Sequence, residues 1–313
     1  MLRDLRARDF DVLLAIRVAV LVLGKALTRL WGRDVMLYNG GVSFFVMLAI
    51  FPALAIAIGL YSILADPAVV AQQGEAMANV MPEAARFIFQ NELLRLAAAP
   101  PEAVSVQSGV ALVIGGYAAH RGFKALLAGL SFIHDEDRPR GFVGFNLLAL
   151  AVLIAAMAAL GVLSTVFFTF RILAETLDLR PLRGTPWLYS EWTWASVGMT
   201  AGMTLIYRWA MSREPVEWRA SLLGGAMAAG LCIFASWGLG FYVDQIVQLG
   251  ATYGSVATVV VFLIWLSWNV NAVFFGGALA TEIEIAAHSR RTPISAPVAP
   301  VGQMRSSMRQ DGG

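Results

Sequence analysis

The sequence predicts an all-α polytopic membrane protein: a bundle of six transmembrane helices preceded by an amphipathic helix at the membrane interface. Three observations predict it. Of the 313 residues, 58% are hydrophobic and only 14% charged, against roughly 45–50% and 25% in soluble domains. Several uncharged stretches exceed the roughly 20 helical residues that cross a bilayer core about 30 Å thick. The basic residues also concentrate on alternate loops, as the positive-inside rule requires.

The elements follow in order. Residues 1–34 read as a cytoplasmic amphipathic segment. Val18 to Gly24 is apolar, but Arg17 precedes it, Lys25 and Arg29 follow it, and no small-residue cleavage site is present, which separates it from a signal peptide. Its basic side chains suit lipid phosphates at the interface; a seventh span is the other reading. The membrane domain covers 35–287, with spans at about 35–65, 104–133, 142–170, 187–211, 220–243 and 255–281. The spans at 104–133 and 187–211 are interrupted, the first by His120, Arg121 and Lys124, the second by Glu191 and Arg208. The 66–103 segment is the long outer loop, whose apolar spacing fits two short amphipathic helices divided at Pro82. Residues 288–313, rich in Pro, Ser and Gly, read as a flexible cytoplasmic tail.

Orientation comes from Lys and Arg. With the N-terminus cytoplasmic, sixteen basic residues lie inside: seven from Arg3 to Arg33, then Arg138 and Arg140, Arg208, Arg213 and Arg219, and Arg290, Arg291, Arg305 and Arg309. Five lie outside, namely Arg86, Arg95, Arg171, Arg180 and Arg183. Both termini are therefore expected in the cytoplasm.

Several segments resemble the YihY/BrkB family of integral inner-membrane proteins, once labelled ribonuclease BN. The likeness runs from about Asp34 to Glu284. It is carried by the Gly40-Gly41-Val42-Ser43-Phe44-Phe45 run that ends in Phe51-Pro52, and by His120-Arg121-Gly122-Phe123-Lys124 with the downstream Arg138. Further matches are Tyr207-Arg208, Pro215 to Arg219, Gly224-Gly225-Ala226, Phe241-Tyr242, Tyr253-Gly254-Ser255 and Leu263 to Leu266. The resemblance implies a bacterial inner-membrane protein connected with transport. The family commonly has Gly-Ala-Glu in its last helix; here the stretch is Gly277-Ala278-Leu279, with Glu282 one turn further towards the cytoplasm.

A charged side chain in hydrocarbon costs a few kcal/mol on insertion scales, so each needs a partner, a cavity or a route to the interface. Tyr117, His120, Arg121 and Lys124, spaced by three and four, form one helical stripe. They share the cytoplasmic half of the bundle with Arg208, Asn269 and Asn271, and with Asn39 and Asn146. These residues are the substrate-path candidates; snorkelling for the cations and helix–helix clamping for the asparagines are the structural alternatives. Pro52 is a candidate hinge or a packing adaptation. Gly224, Gly225, Ala228 and Ala229, and Gly115 and Gly116 near Ala119, mark close helix contacts. Trp237, Trp265 and Trp268 are expected to fill the bundle, the remaining tryptophans to mark the interfaces.

Function classes follow from these residues. His120, His134 and His288 have no ligand spacing to one another, and the 134–137 segment His-Asp-Glu-Asp reads as a solvated turn, so neither a catalytic constellation nor a metal site nor a cofactor is expected. A net charge of +2 gives no electrostatic case for a nucleic-acid partner, and the single Cys232 excludes a disulfide-stapled fold. The leading expectation is a permease-like protein in contact with the lipid bilayer, its positive inner half favouring a small anionic substrate or an anionic lipid. The alternative is a non-transporting protein that organises lipid or envelope components.

Overall fold

The computed structural model describes residues 2–31, 35–64, 86, 90, 101–136, 140–176, 190–245 and 257–291. The expected helix pair about Pro82, the turn at 248–254, Trp187 and the tail beyond 291 lie outside them. The described helices are α1 (Leu2–Trp31), α2 (Val35–Leu64), α3 (Pro101–Ile133), α4 (Phe142–Thr176), α5 (Glu191–Leu205), α6 (Trp218–Gln245) and α7 (Ala257–Arg291). A π-helical turn, Ile206–Ala210, closes α5. Among the described residues there is no β-strand.

Three of these helices contain segments long and apolar enough to cross a membrane: Phe142–Phe167, Trp218–Phe241 and Val259–Ser289, with mean hydropathies of 2.6, 1.7 and 1.8. Val35–Ile50 is a shorter apolar stretch. The α4 segment buries 11% of its most apolar window and the α7 segment 44%, so α7 is the central helix and α4 presents most of its surface outwards. In water such an α4 face would be a liability; in a bilayer it is the lipid-facing surface. Trp237 corrects the sequence reading: it is 68% exposed and stacks on Phe241 with ring planes 17° apart. Trp268 is exposed as well. Ring-on-ring contact with Phe234 and Phe241 along the outer face accommodates Trp237 without placing it in the core.

Glycines set the helix spacing. A Cβ at Gly115 would collide with the Pro52 ring, one at Gly122 would touch Phe45 Cβ at 3.4 Å, and one at Gly129 would meet Tyr38 Cβ at 3.1 Å. Both series advance by seven residues, 115–122–129 on α3 and 38–45–52 on α2, in opposite directions. The result is an antiparallel heptad seam with large side chains of α2 seated on glycines of α3. Pro52 belongs to this seam, its ring occupying the space that Gly115 leaves.

A second seam joins α6 to both neighbours. A Cβ at Gly224 would meet the Gly276 carbonyl oxygen of α7, and one at Gly225 would meet Thr204 Oγ1 and the Thr200 carbonyl oxygen of α5. Adjacent glycines thus bring two different backbones close to α6. Tyr207, fully buried, donates to the Val273 carbonyl oxygen at 2.6 Å and ties the π turn to α7.

These contacts predict a graded series. Gly115→Ala should destabilise by about 1–3 kcal/mol, the usual range for overpacking. Gly122→Ala, whose new methyl meets only ordinary contact, should cost much less, and Gly24→Ala on open surface should be neutral or slightly stabilising. Thermal unfolding of the detergent-solubilised variants measures the order.

Candidate functional site

The ends of α1, α3 and α7 and the start of α6 meet at one end of the bundle, where polar residues from distant parts of the chain converge. The α3 terminus organises them. Asp135 has a φ of 57°, Glu136 N–H donates to the Ser131 carbonyl at 3.2 Å and Asp135 N–H to the Phe132 carbonyl at 3.4 Å. This is a Schellman cap with aspartate in the left-handed position usually taken by glycine. The cap leaves the Ile133 carbonyl free, and Arg29 of α1 donates to it at 2.9 Å.

Arg29 is the hub. Its Nε donates to Glu282 Oε1 of α7 at 2.7 Å and its Nη1 to Asp135 Oδ2 at 2.5 Å. The Arg29 and Glu282 side chains are only 14% and 9% exposed. Burial works against the Arg29 charge, yet hydrogen bonds and attraction to Glu282 and Asp135 outweigh it and hold its pKa above the ordinary arginine value.

Next to this hub lies a polar cavity of about 1,090 Å³. Its wall includes His134, Asp135 and Glu136 beyond α3, Ser212, Arg213, Glu214 and Glu217 from the 211–217 connection, and Thr281, Glu284 and His288 of α7. Most of the wall is held in place. Glu136 Oε2 accepts from Ser212 Oγ and from Arg213 N–H, both at 2.7 Å. Arg140 donates to the carbonyls of Ala210 and Ser212 at 3.3 and 2.5 Å. Burial lowers the Arg140 pKa, with Glu136 opposing the shift and Arg213 adding to it; the guanidinium remains charged.

His134 joins two helices through this wall. The Thr281 hydroxyl donates to the Gly277 carbonyl at 3.1 Å, so its oxygen accepts from His134 Nδ1 at 3.0 Å. His134 Nε2 then faces Glu284 Oε2 at 3.8 Å, while Glu284 Oε1 accepts from the Glu217 N–H at 3.3 Å. Burial lowers the His134 pKa from its ordinary 6.5; Glu284, Glu136 and Asp135 oppose the shift and Arg29 reinforces it. Among the described residues no group of three or more His, Cys, Asp or Glu stands close enough to hold a metal ion.

The residues that the sequence singled out occupy other places. His120 Nε2 and Lys124 Nζ both approach Asn146 Oδ1 of α4, at 3.4 and 2.9 Å. Arg121 lies on the adjoining flank, exposed, 5.4 Å from the Phe45 ring centroid and 5.9 Å from that of the exposed Tyr117. Arg208 stacks on Trp218 at 4.3 Å and donates to the Val216 carbonyl at 2.5 Å. The Asn269 amide donates to Trp265 of its own helix at 2.7 Å, and Asn271 is partly buried on the same helix. Asn39 donates to Ser267 Oγ at 2.9 Å and accepts from Ser43 at 3.1 Å, clamping α2 to α7. The structure thus brings His120, Lys124 and Asn146 together and sets Arg121, Arg208 and Asn269 apart. None of the seven path candidates lines the polar cavity, nor the apolar one of about 290 Å³ between α2 and α3.

Sequence reasoning passed over the Arg29 hub because its partners stand 104 to 253 positions away. The 134–137 segment, read as a solvated turn, supplies His134, Asp135 and Glu136 to the wall. The signal available was local: Glu282 and Glu284 at the end of a long apolar run need partners, and α7 remains helical through Arg291 because they find them.

Two outcomes follow. Arg29→Met leaves Glu282 buried and unpaired and should destabilise by about 3 kcal/mol, whereas Arg29→Met with Glu282→Met should recover most of it; thermal midpoints of the purified variants decide. For His134, the unfolded chain binds the proton more readily than the fold does. Stability should therefore fall as pH drops through 6.5 towards the lower folded value, and His134→Gln should flatten that part of the midpoint-against-pH curve.

Comparisons with known proteins point to a membrane protein. The family model described as Virulence factor BrkB matches residues 26–299. A UPF0761 membrane protein of Alkalilimnicola ehrlichii is 42% identical over 79 residues, 25% of this chain and 18% of the relative. UPF0761 membrane proteins of Pseudomonas paraeruginosa and Azotobacter vinelandii are each 34% identical over 107 and 108 residues, 34% of this chain and 25% and 26% of theirs. The matched regions thus span about a fifth to a quarter of these relatives' lengths. No solved structure matches the chain. A match over most of the sequence, joined to a bundle of long apolar helices, makes this chain a membrane protein of the BrkB family.

Proposed function

We propose that the chain crosses the bacterial inner membrane six times with both termini cytoplasmic, and that it is a non-enzymatic, permease-like protein whose polar cavity is the cytoplasmic mouth of the substrate path. The cavity of about 1,090 Å³ is the observation that carries this reading. It opens at the bundle end that gathers Arg29, Arg140, Arg208, Arg213 and Arg219, the end that the positive-inside rule assigns to the cytoplasm. Helix α1 would lie along the inner interface, with Ala26 and Leu30 buried in the core and Val20, Leu21 and Trp31 exposed to lipid. Of the other proposed spans, α2 contributes the shorter apolar stretch Val35–Ile50 among the described residues, while α3 carries Arg121 and Lys124 and the turn after α5 carries Arg208, each cation beside an aromatic ring.

The cavity wall carries five carboxylates, Asp135, Glu136, Glu214, Glu217 and Glu284, against Arg213 as the one arginine. Its lining is net negative, so the anionic preference inferred from Arg121, Lys124 and Arg208 belongs to the flanks of the bundle and not to this mouth. That separation favours a second reading, a protein that engages anionic lipid laterally and organises the membrane without transport.

Reporter fusions test the topology: those after Ala65, Leu179 and Leu249 should read outside, and those after Asp137, Arg213 and Ser289 inside. For transport, proteoliposomes carrying Cys232→Ser and Ile285→Cys, the latter in the cavity wall, should lose flux of the transported solute on thiol labelling from the cytoplasmic side. Flux that labelling leaves unchanged removes the cavity from the path, and a solute screen without any flux selects the lipid-organising reading.

A further inference from the structure

We infer that the start of α4, together with Lys124, His120 and Asn146, forms a lateral site for the phosphate of an anionic phospholipid drawn from the bilayer. The inference holds whether or not the polar cavity conducts a solute, because it rests on a different face of the molecule. Asn146 organises the cluster. Its amide donates to the Phe142 carbonyl at 2.7 Å, which fixes the side chain, and its oxygen receives Lys124 Nζ at 2.9 Å. The ammonium also lies 5.0 Å from the Phe142 ring centroid. These are neutral partners. Among the described residues no carboxylate pairs with Lys124, so its full positive charge remains available.

His120 supplies an independent sign of an absent partner. Its Nε2 approaches the same Asn146 oxygen at 3.4 Å, while its Nδ1 is buried with no hydrogen-bond partner. His120 Nε2 and the Lys124 ammonium thus converge on one neutral oxygen, an arrangement that an anion beside them would complete. The first N–H groups of α4 add to the field: a helix 35 residues long leaves its first-turn N–H groups unbonded and its positive dipole end at Phe142. Gly141 and Gly144 have open space where a Cβ would stand, so a phosphate can approach that backbone closely.

The surroundings identify the source as lipid. Phe142 is 80% exposed, and Val143, Leu147 and Ile154 continue the exposed apolar face down α4. A phosphate bound there would have its acyl chains against that face. Asn146 lies four residues into α4, about 6 Å below its start, between the open helix end and the exposed apolar face.

The full-length protein in nanodiscs provides the test, with native mass spectrometry counting the lipids retained during delipidation. Phosphatidylglycerol should be retained in preference to phosphatidylcholine, and Lys124→Gln should weaken that retention about tenfold, the loss of one charge-assisted hydrogen bond. Lys124→Arg should preserve it, and an unchanged thermal midpoint in phosphatidylcholine shows that Lys124→Gln remains folded. Lys25→Gln, which removes the same charge from an exposed position of another helix, should leave retention intact. Equal retention of both lipids, an equal effect of Lys25→Gln and Lys124→Gln, or displacement of the lipid by soluble glycerol phosphate would each overturn the inference.

Discussion

Close approach of helix backbones, made possible by glycine, is the constraint on which the rest of the structure depends. Lipid tails are as apolar as leucine side chains, so helices in a bilayer gain little from apolar burial against each other and associate through close van der Waals packing and a few hydrogen bonds. Gly224 lies against the Gly276 carbonyl, Gly225 against Thr200 and Thr204, and the seven-residue steps of α2 and α3 interlock through Gly115, Gly122 and Gly129. With larger residues at these positions α7 would stand further from α6 and α3. The buried Tyr207 hydroxyl would then lose the Val273 carbonyl.

That spacing also sets the chemistry at the polar end. Because α7 is held centrally, Glu282 and Glu284 emerge beside α1, the α3 cap and the start of α6. Three carboxylates there have a partner from another element: Arg29 for Glu282, the Glu217 N–H for Glu284, and the Ser212 hydroxyl for Glu136. A buried charge left alone in such a place is costly, whereas a paired and hydrogen-bonded one fixes the register of the elements it joins. Several side chains of the cavity wall beside them are held by these contacts. The BrkB family assignment places this arrangement in a membrane protein, and the bare α4 face agrees with it.

The polar residues divide into two systems of opposite sign. The carboxylates sit together around the cavity, while Lys124, Arg121 and Arg208 lie on the flanks, stacked on Phe142, Phe45 and Trp218. Aromatic rings are the partners of choice for cations facing lipid, since a ring face attracts the charge without a second desolvated ion. The sequence reading grouped these cations by depth along their helices. Depth is a one-dimensional coordinate and carries no information on azimuth, so residues at one level can face opposite directions.

Composition and apolar run length alone determined that the chain is helical and membrane-embedded, because backbone groups in hydrocarbon must bond within their own segment and only long apolar helices satisfy that locally. The paired glycines of α6 and Gly115 at the start of the α3 seam were legible for a similar local reason, small residues repeated along an apolar helix marking close contacts, whereas Gly116, read with them, faces open space. Only the tertiary structure decided which way Arg121, Lys124 and Trp237 point, that Arg29 holds Glu282, and that His134 bridges Thr281 and Glu284. The Arg29 and His134 contacts join residues 147 to 253 positions apart, and their existence depends on how helices are rotated and spaced, a property of packed neighbours that no single segment contains.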